Sequence, residues 1–140
     1  MATGDLTVFE EAKAYMLDGG WEAADDIKVT VITNGTVPAA GDTTPALADY
    51  TVVTNITAVS IGDWGTLISE ATGTVTADSA TNPNWAANGA NGTNGYYALV
   101  YNDTQAGDPA IAFIELGGPI NLAAAALTVT WNASGLFTVV

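Results

Sequence analysis

Cysteine, histidine and arginine do not occur in this 140-residue chain, and its only cations are Lys13 and Lys28. Each absence removes a class of function. Without Cys there is no disulfide framework and no thiolate nucleophile, and without His there is no Ser-His-Asp triad. Without either, a zinc site of the ordinary kind cannot be assembled. Two lysines cannot neutralise a run of phosphates, so no nucleic acid is expected as a direct partner. Long apolar runs are missing too. No stretch approaches the ~18 consecutive apolar residues of a spanning helix, so no membrane partner is expected. The segment Met1 to Asp5 lacks the basic and apolar regions of a signal peptide, which predicts synthesis in a cytoplasm.

What remains is acidic and apolar. Fifteen Asp and Glu against two Lys give a formal charge of -13. Charged residues are only 12% of the chain, about half the usual ~25%, while hydrophobic residues reach 49%. The surface must therefore be neutral and polar, rich in Thr, Ala, Gly and Asn. The chain is long enough to bury one core without a metal or crosslink, and a single domain over 1–140 is predicted.

Helical spacing of Leu6, Phe9, Lys13, Met16 and Leu17 predicts a helix over about 6–18, with Phe9, Met16 and Leu17 inward. Thr7 and Glu10 have the spacing of a capping box, and Gly19-Gly20 supplies the stop. After Trp21 the period changes to two. Strands are predicted from Ile27 to Ile32, Tyr50 to Ile61 with a possible break at Asn55, Thr72 to Ala77, Tyr96 to Tyr101, Ala110 to Leu116, Ala126 to Trp131 and Leu136 to Val140. Asp63-Trp64-Gly65 reads as a turn. Long polar loops are predicted over about 34–48 and 78–95, and their length makes them interface candidates. One helix followed by short strands at intervals of about 8 to 15 residues predicts a mainly β fold, an antiparallel β-sandwich or jelly-roll-like barrel.

Carboxylates are the only acid-base groups available. Asp25 with Asp26, Asp103 with Asp108, and Glu115 are the candidates for a glycosidase pair, which needs carboxyls about 5 to 9.5 Å apart. The plainer reading puts Asp25-Asp26 in a solvated turn before the strand at Ile27. Asn102, Asp103 and Asp108 could supply oxygen ligands to calcium, but they are also what a hairpin turn requires, so no metal or other cofactor is assigned. No catalytic residue is assigned either, and the chain is expected not to be an enzyme. Sequons at Asn34, Asn55, Asn91, Asn102 and Asn132 follow from Asn and Thr abundance.

The aromatic residues say more. Trp21, Trp64, Trp85 and Trp131 either plug open ends of a sandwich, anchor a protein interface or stack on sugar. Phe113 and Glu115 have the same parity in an apolar strand, so their common face is predicted to be partly exposed or to form an interface. Phe9, Trp21, Trp64, Trp85, Tyr96, Phe113 and Glu115 are the interface candidates.

Three segments carry a resemblance: Tyr96-Tyr97-Ala98-Leu99-Val100-Tyr101-Asn102-Asp103-Thr104, Gly107-Asp108-Pro109-Ala110-Ile111-Ala112-Phe113-Ile114, and Leu127 to Phe137 around Trp131-Asn132-Ala133-Ser134-Gly135. In this order, behind a helix ending in Gly-Gly, Asp26-Ile27-Lys28-Val29 and Leu47-Ala48-Asp49-Tyr50, the chain resembles small structural proteins of tailed bacteriophages. The resemblance implies a virion protein of the head decoration or cement type. It would be made in the host bacterial cytoplasm and bind the outer surface of the major capsid protein shell. It also implies a homo-oligomer, with a trimer at local threefold positions expected. The rival expectation is a tail-associated module that binds host glycans.

Overall fold

The computed structural model describes residues 4–139, with side chains as far as Phe137; Val140, assigned above to the last strand, lies outside the described residues. The fold is mainly β with antiparallel strands, as predicted. Its strands are β1 (Leu6–Val8), β2 (Asp26–Ile32), β3 (Val59–Asp63), β4 (Ile68–Ala71), β5 (Thr74–Ala77), β6 (Asn84–Trp85), β7 (Gly95–Asn102), β8 (Ala110–Ile120), β9 (Leu127–Thr128) and β10 (Phe137–Val139). Two α-helical segments, α1 (Glu10–Asp18) and α2 (Trp64–Leu67), and a 3-10 turn at Leu47–Asp49 complete it.

The principal sheet has the order β1-β8-β7-β2-β3. The predicted β7–β8 hairpin lies near its centre, with Leu99 opposite Phe113 and Val100 opposite Ala112. In β2 and β7 both faces are buried, which suits runs of Val, Ile and Leu better than strict alternation. One face carries Leu99 and Phe113, covered by Phe9, whose ring centroid lies 5.1 Å from that of Phe113. The opposite face carries Val29, Val31, Ala98, Val100 and Ala112, all buried. Two smaller sheets, β10-β5-β4 and β6-β9, stand beside it. A single hydrophobic cluster runs through Phe9, Trp85, Leu122 and Val129.

Several predicted boundaries need correction. The helix does not begin near residue 6: Leu6, Thr7 and Val8 pair with Ile114, Phe113 and Ala112, because the open edge of β8 offers them ladder hydrogen bonds. Thr7 is thereby committed to a strand, and no capping box forms. The N-cap is Phe9 with extended backbone and no side-chain cap. Gly19 does end α1, at φ 69°, where a residue without Cβ is favoured. Leu17, predicted inward, is 84% exposed: Ala12 is the buried residue of the helix, and Leu17, five positions on, lies about 140° round the helix axis from it.

Of the predicted strand from Tyr50 to Ile61, only Val59 onward forms an extended element, with Val52 in an isolated bridge to Ile32. Asn55, at φ 60°, breaks the run as anticipated. Ala126 to Trp131 shrinks to β9. The strand β4 was not foreseen; it pairs with β5 across a tight turn in which Thr72 and Gly73 both have positive φ.

Candidate functional site

At one end of the principal sheet a buried carboxylate organises three loops. Asp25, 2% exposed, accepts hydrogen bonds at Oδ2 from the Glu22 backbone N–H at 3.0 Å, Asn102 Nδ2 at 2.8 Å and Gln105 Nε2 at 2.9 Å. Asn102 is fully buried and its Oδ1 accepts the N–H groups of Thr104 and Gln105. Burial by itself would raise the Asp25 pKa, but donation from Asn102, the Glu22 amide and Gln105 outweighs it and holds the carboxyl below the usual aspartate value. The expected solvated turn is therefore a buried knot. Asp25 Oδ2 is thereby committed to three structural hydrogen bonds.

The knot positions an aromatic group. The carbonyl of Asp25 accepts Trp64 N–H at 2.7 Å, and that of Ala23 accepts Gly65 N–H at 2.9 Å. A Cβ at Gly65 would lie 2.7 Å from the Ala23 Cβ, so the close approach requires glycine. Trp64 meets Trp21 edge to face at 4.6 Å, and Tyr15 stacks on Trp21 at 6.3 Å. Trp21 is buried, and its indole N–H has no partner among the described residues. Trp64 is half-buried and Tyr15 is 40% exposed, so the group grades from core to solvent at the last turn of α1.

The remaining candidates divide by burial. Phe9 and Phe113 pack on each other in the core, and Tyr97 closes on Phe113 from the same strand pair, so the Phe113 face is covered from within the chain. Trp85 is also buried, with Nε1 donating to the Thr57 carbonyl at 2.8 Å. These residues hold the fold together and are not available as surface anchors. Tyr96 and Glu115 are half-buried. Asp103 pairs with Lys28, whose second acidic neighbour is Asp26 at 3.7 Å; the hydrogen bond from Lys28 to Asp103 raises the lysine pKa. Asn102, Asp103 and Asp108 are thus not arranged as a cation cage, and no group of three or more acidic residues among the described residues could hold a metal.

No family model, curated protein or solved structure matches the chain.

The long loops are fastened down. In the segment 34–48, Ala40 accepts Glu10 N–H, Pro45 accepts Ala110 N–H and Asp42 accepts the Tyr50 hydroxyl. In 78–95, the buried Ser79 hydroxyl donates to Ile61, and Gly92 N–H donates to Thr54. Trp131, weighed with the other tryptophans but left off the list of interface candidates, is partly exposed and held in place. Its Nε1 donates to the Thr81 carbonyl at 2.7 Å and its backbone N–H to Asn82 Oδ1 at 3.1 Å. So fixed, it lines a groove of about 490 Å³ with Asp5, Leu6, Asn132, Ser134 and Phe137. The groove forms where residues 4–6 meet residues 130–137 beside Ile114, and no local motif signals it.

Proposed function

We propose that the protein is a non-enzymatic virion component that binds the outer surface of a phage capsid and stabilises the shell. One observation carries the reading: of the three large hydrophobic side chains exposed among the described residues, two, Tyr15 and Leu17, lie toward the end of α1, and Tyr15 stacks on Trp21. The third is Val37. On an otherwise neutral-polar surface, two large apolar side chains exposed on one short helix make that helix the best candidate for a contact. The fixed uses of Asp25 and Asp103 as structural acceptors leave these carboxylates without a catalytic arrangement, which favours adhesion over chemistry. The resemblance of the β7, β8 and C-terminal segments to phage structural proteins points the same way.

Binding an assembled lattice in preference to free subunits stabilises the lattice by mass action, and symmetry repeats each modest contact many times. A charge of -13 keeps unbound copies apart in solution. Homotrimers at local threefold positions are the expected arrangement. The test is stoichiometry on purified particles: a decoration protein is present in hundreds of copies, and a trace amount overturns the reading.

A second reading is favoured by the Trp131 groove, whose immobilised indole with neighbouring hydroxyl, amide and carboxylate groups suits a neutral sugar. In this reading the protein is a tail-associated, host-glycan-binding module. Tryptophan fluorescence titrated with host polysaccharide checks it; an unchanged spectrum at millimolar sugar removes it.

A further inference from the structure

Asparagine precedes glycine at four places: Asn34-Gly35, Asn88-Gly89, Asn91-Gly92 and Asn94-Gly95. The structure treats the four pairs differently. At Asn88 the side-chain Oδ1 accepts the Ala90 N–H at 3.0 Å, closing an Asx turn around Gly89 and polarising the amide carbonyl. The Gly89 N–H has no hydrogen-bond partner among the described residues. Asn88 and Gly89 are exposed, and no heavy atom lies within 4 Å of where a Gly89 Cβ would stand.

Each other pair lacks one of these features. Gly35 N–H donates to Thr33 Oγ1 at 3.2 Å. Gly92 N–H donates to the Thr54 carbonyl at 2.9 Å, and the amide of Asn91 is engaged with the carbonyls of Ala86 and Leu122. Gly92 is also crowded, with Val53 Cγ1 2.7 Å from its Cβ position. Gly95 is buried in β7 opposite Ile120, with Val31 Cγ1 at 2.8 Å. A ring cannot close at these sites without breaking bonds or opening the core.

We propose that Asn88 is a site of spontaneous covalent self-modification through a succinimide. The Gly89 backbone nitrogen attacks Asn88 Cγ, forming a C–N bond and losing its proton to water. The side-chain nitrogen takes up a proton and leaves as ammonia. Water then adds to one of the two ring carbonyls, and the ring C–N bond to that carbon breaks as the nitrogen takes up a proton, giving aspartate or isoaspartate. No oxidant, metal or second protein is needed. Donation from Ala90 N–H stabilises the developing oxyanion, and the turn holds nucleophile and carbonyl close together. The product carries one more negative charge. Isoaspartate also lengthens the backbone by one carbon in a turn that is docked through Asn88 N–H on the Leu122 carbonyl and Asn91 N–H on the Asn88 carbonyl. Modification therefore loosens the 86–92 loop as the protein ages.

The test is peptide mapping of the full chain by mass spectrometry after incubation at mildly alkaline pH, folded and in urea. Conversion in the folded protein should be at least about tenfold faster at Asn88 than at Asn34, Asn91 or Asn94, a preference that urea abolishes. The Gly89→Ala variant, which meets open space, should keep the fold by circular dichroism and slow conversion at Asn88 by about tenfold or more. Equal or faster conversion at another pair in the folded protein overturns the proposal. So does an unchanged rate in folded Gly89→Ala, or a folded protein inert at Asn88 while the urea sample converts.

Discussion

The side-chain amide of Asn102 donates to the carboxylate of Asp25 at 2.8 Å, joining two buried residues 77 positions apart. This contact ties the end of β7 to the turn that carries Trp21 and, through the Asp25 carbonyl, to Trp64. Replacing Asp25 by Ala leaves two side-chain donors and one backbone donor facing a hole. We expect a loss of about 2–4 kcal/mol in urea unfolding, because buried donors without partners retain their full desolvation cost. A change below about 0.5 kcal/mol would contradict the assignment.

The same carboxylate makes stability fall in acid. Its folded pKa is lower than its unfolded value, so the folded state binds fewer protons. The contribution is fully present above the unfolded aspartate value of about 3.9 and disappears as pH falls through the folded pKa. Denaturant midpoints measured below that value should therefore decline with pH. Asp25→Asn should start less stable near neutrality and show a shallower decline.

Lys28 behaves in the opposite sense. Hydrogen bonding to Asp103 raises its pKa, so its contribution is complete below the unfolded lysine value of about 10.4 and disappears as pH rises through the folded value. The pair is a quarter to a third exposed, which screens it. Lys28→Met should cost no more than about 1 kcal/mol at neutral pH, read from chemical denaturation at two salt concentrations.

Two tryptophans offer an internal comparison. Trp85 Nε1 donates to the Thr57 carbonyl, whereas the similarly buried Trp21 Nε1 has no partner among the described residues. Trp85→Phe loses a hydrogen bond as well as volume; Trp21→Phe loses volume and an unsatisfied donor. Thermal unfolding should rank Trp85→Phe as the more destabilising by about 1 kcal/mol. The reverse order would mean that Trp21 finds a partner in solution.

The difference between these two residues also marks what local sequence makes legible. The β7–β8 hairpin is readable because Tyr96 to Tyr101 and Ala110 to Leu116 are apolar enough to fill the middle of any sheet, with turn residues between them. The start of the chain is not: Leu6 and Phe9 fit helical spacing, and only the free edge of β8 makes Leu6 to Val8 a strand. Asp25 looks like a turn aspartate because Asn102 and Gln105, its partners, are remote in sequence. Trp85 sits in an Asn-, Gly- and Ala-rich stretch that resembles a free arm, and its burial depends on Thr57 and the core beneath it. The Trp131 groove needs both chain ends together.

Leu17 separates stability from binding. It is 84% exposed on the last turn of α1, so a polar substitution removes no packing, and Leu17→Ser should leave the unfolding free energy within about 0.5 kcal/mol of the parent. If α1 meets the capsid, the same change deletes apolar area from the contact and should weaken binding to undecorated shells by about tenfold, or ~1.4 kcal/mol. Leu17→Asp adds a charge to a helix already carrying Glu10, Glu11 and Asp18, and should weaken binding further without unfolding the chain. Because neither variant disturbs the Tyr15–Trp21 stack, a loss of affinity localises the contact to the helix. Full affinity in both would move the contact away from α1 and leave Tyr15 and Leu17 as incidental surface.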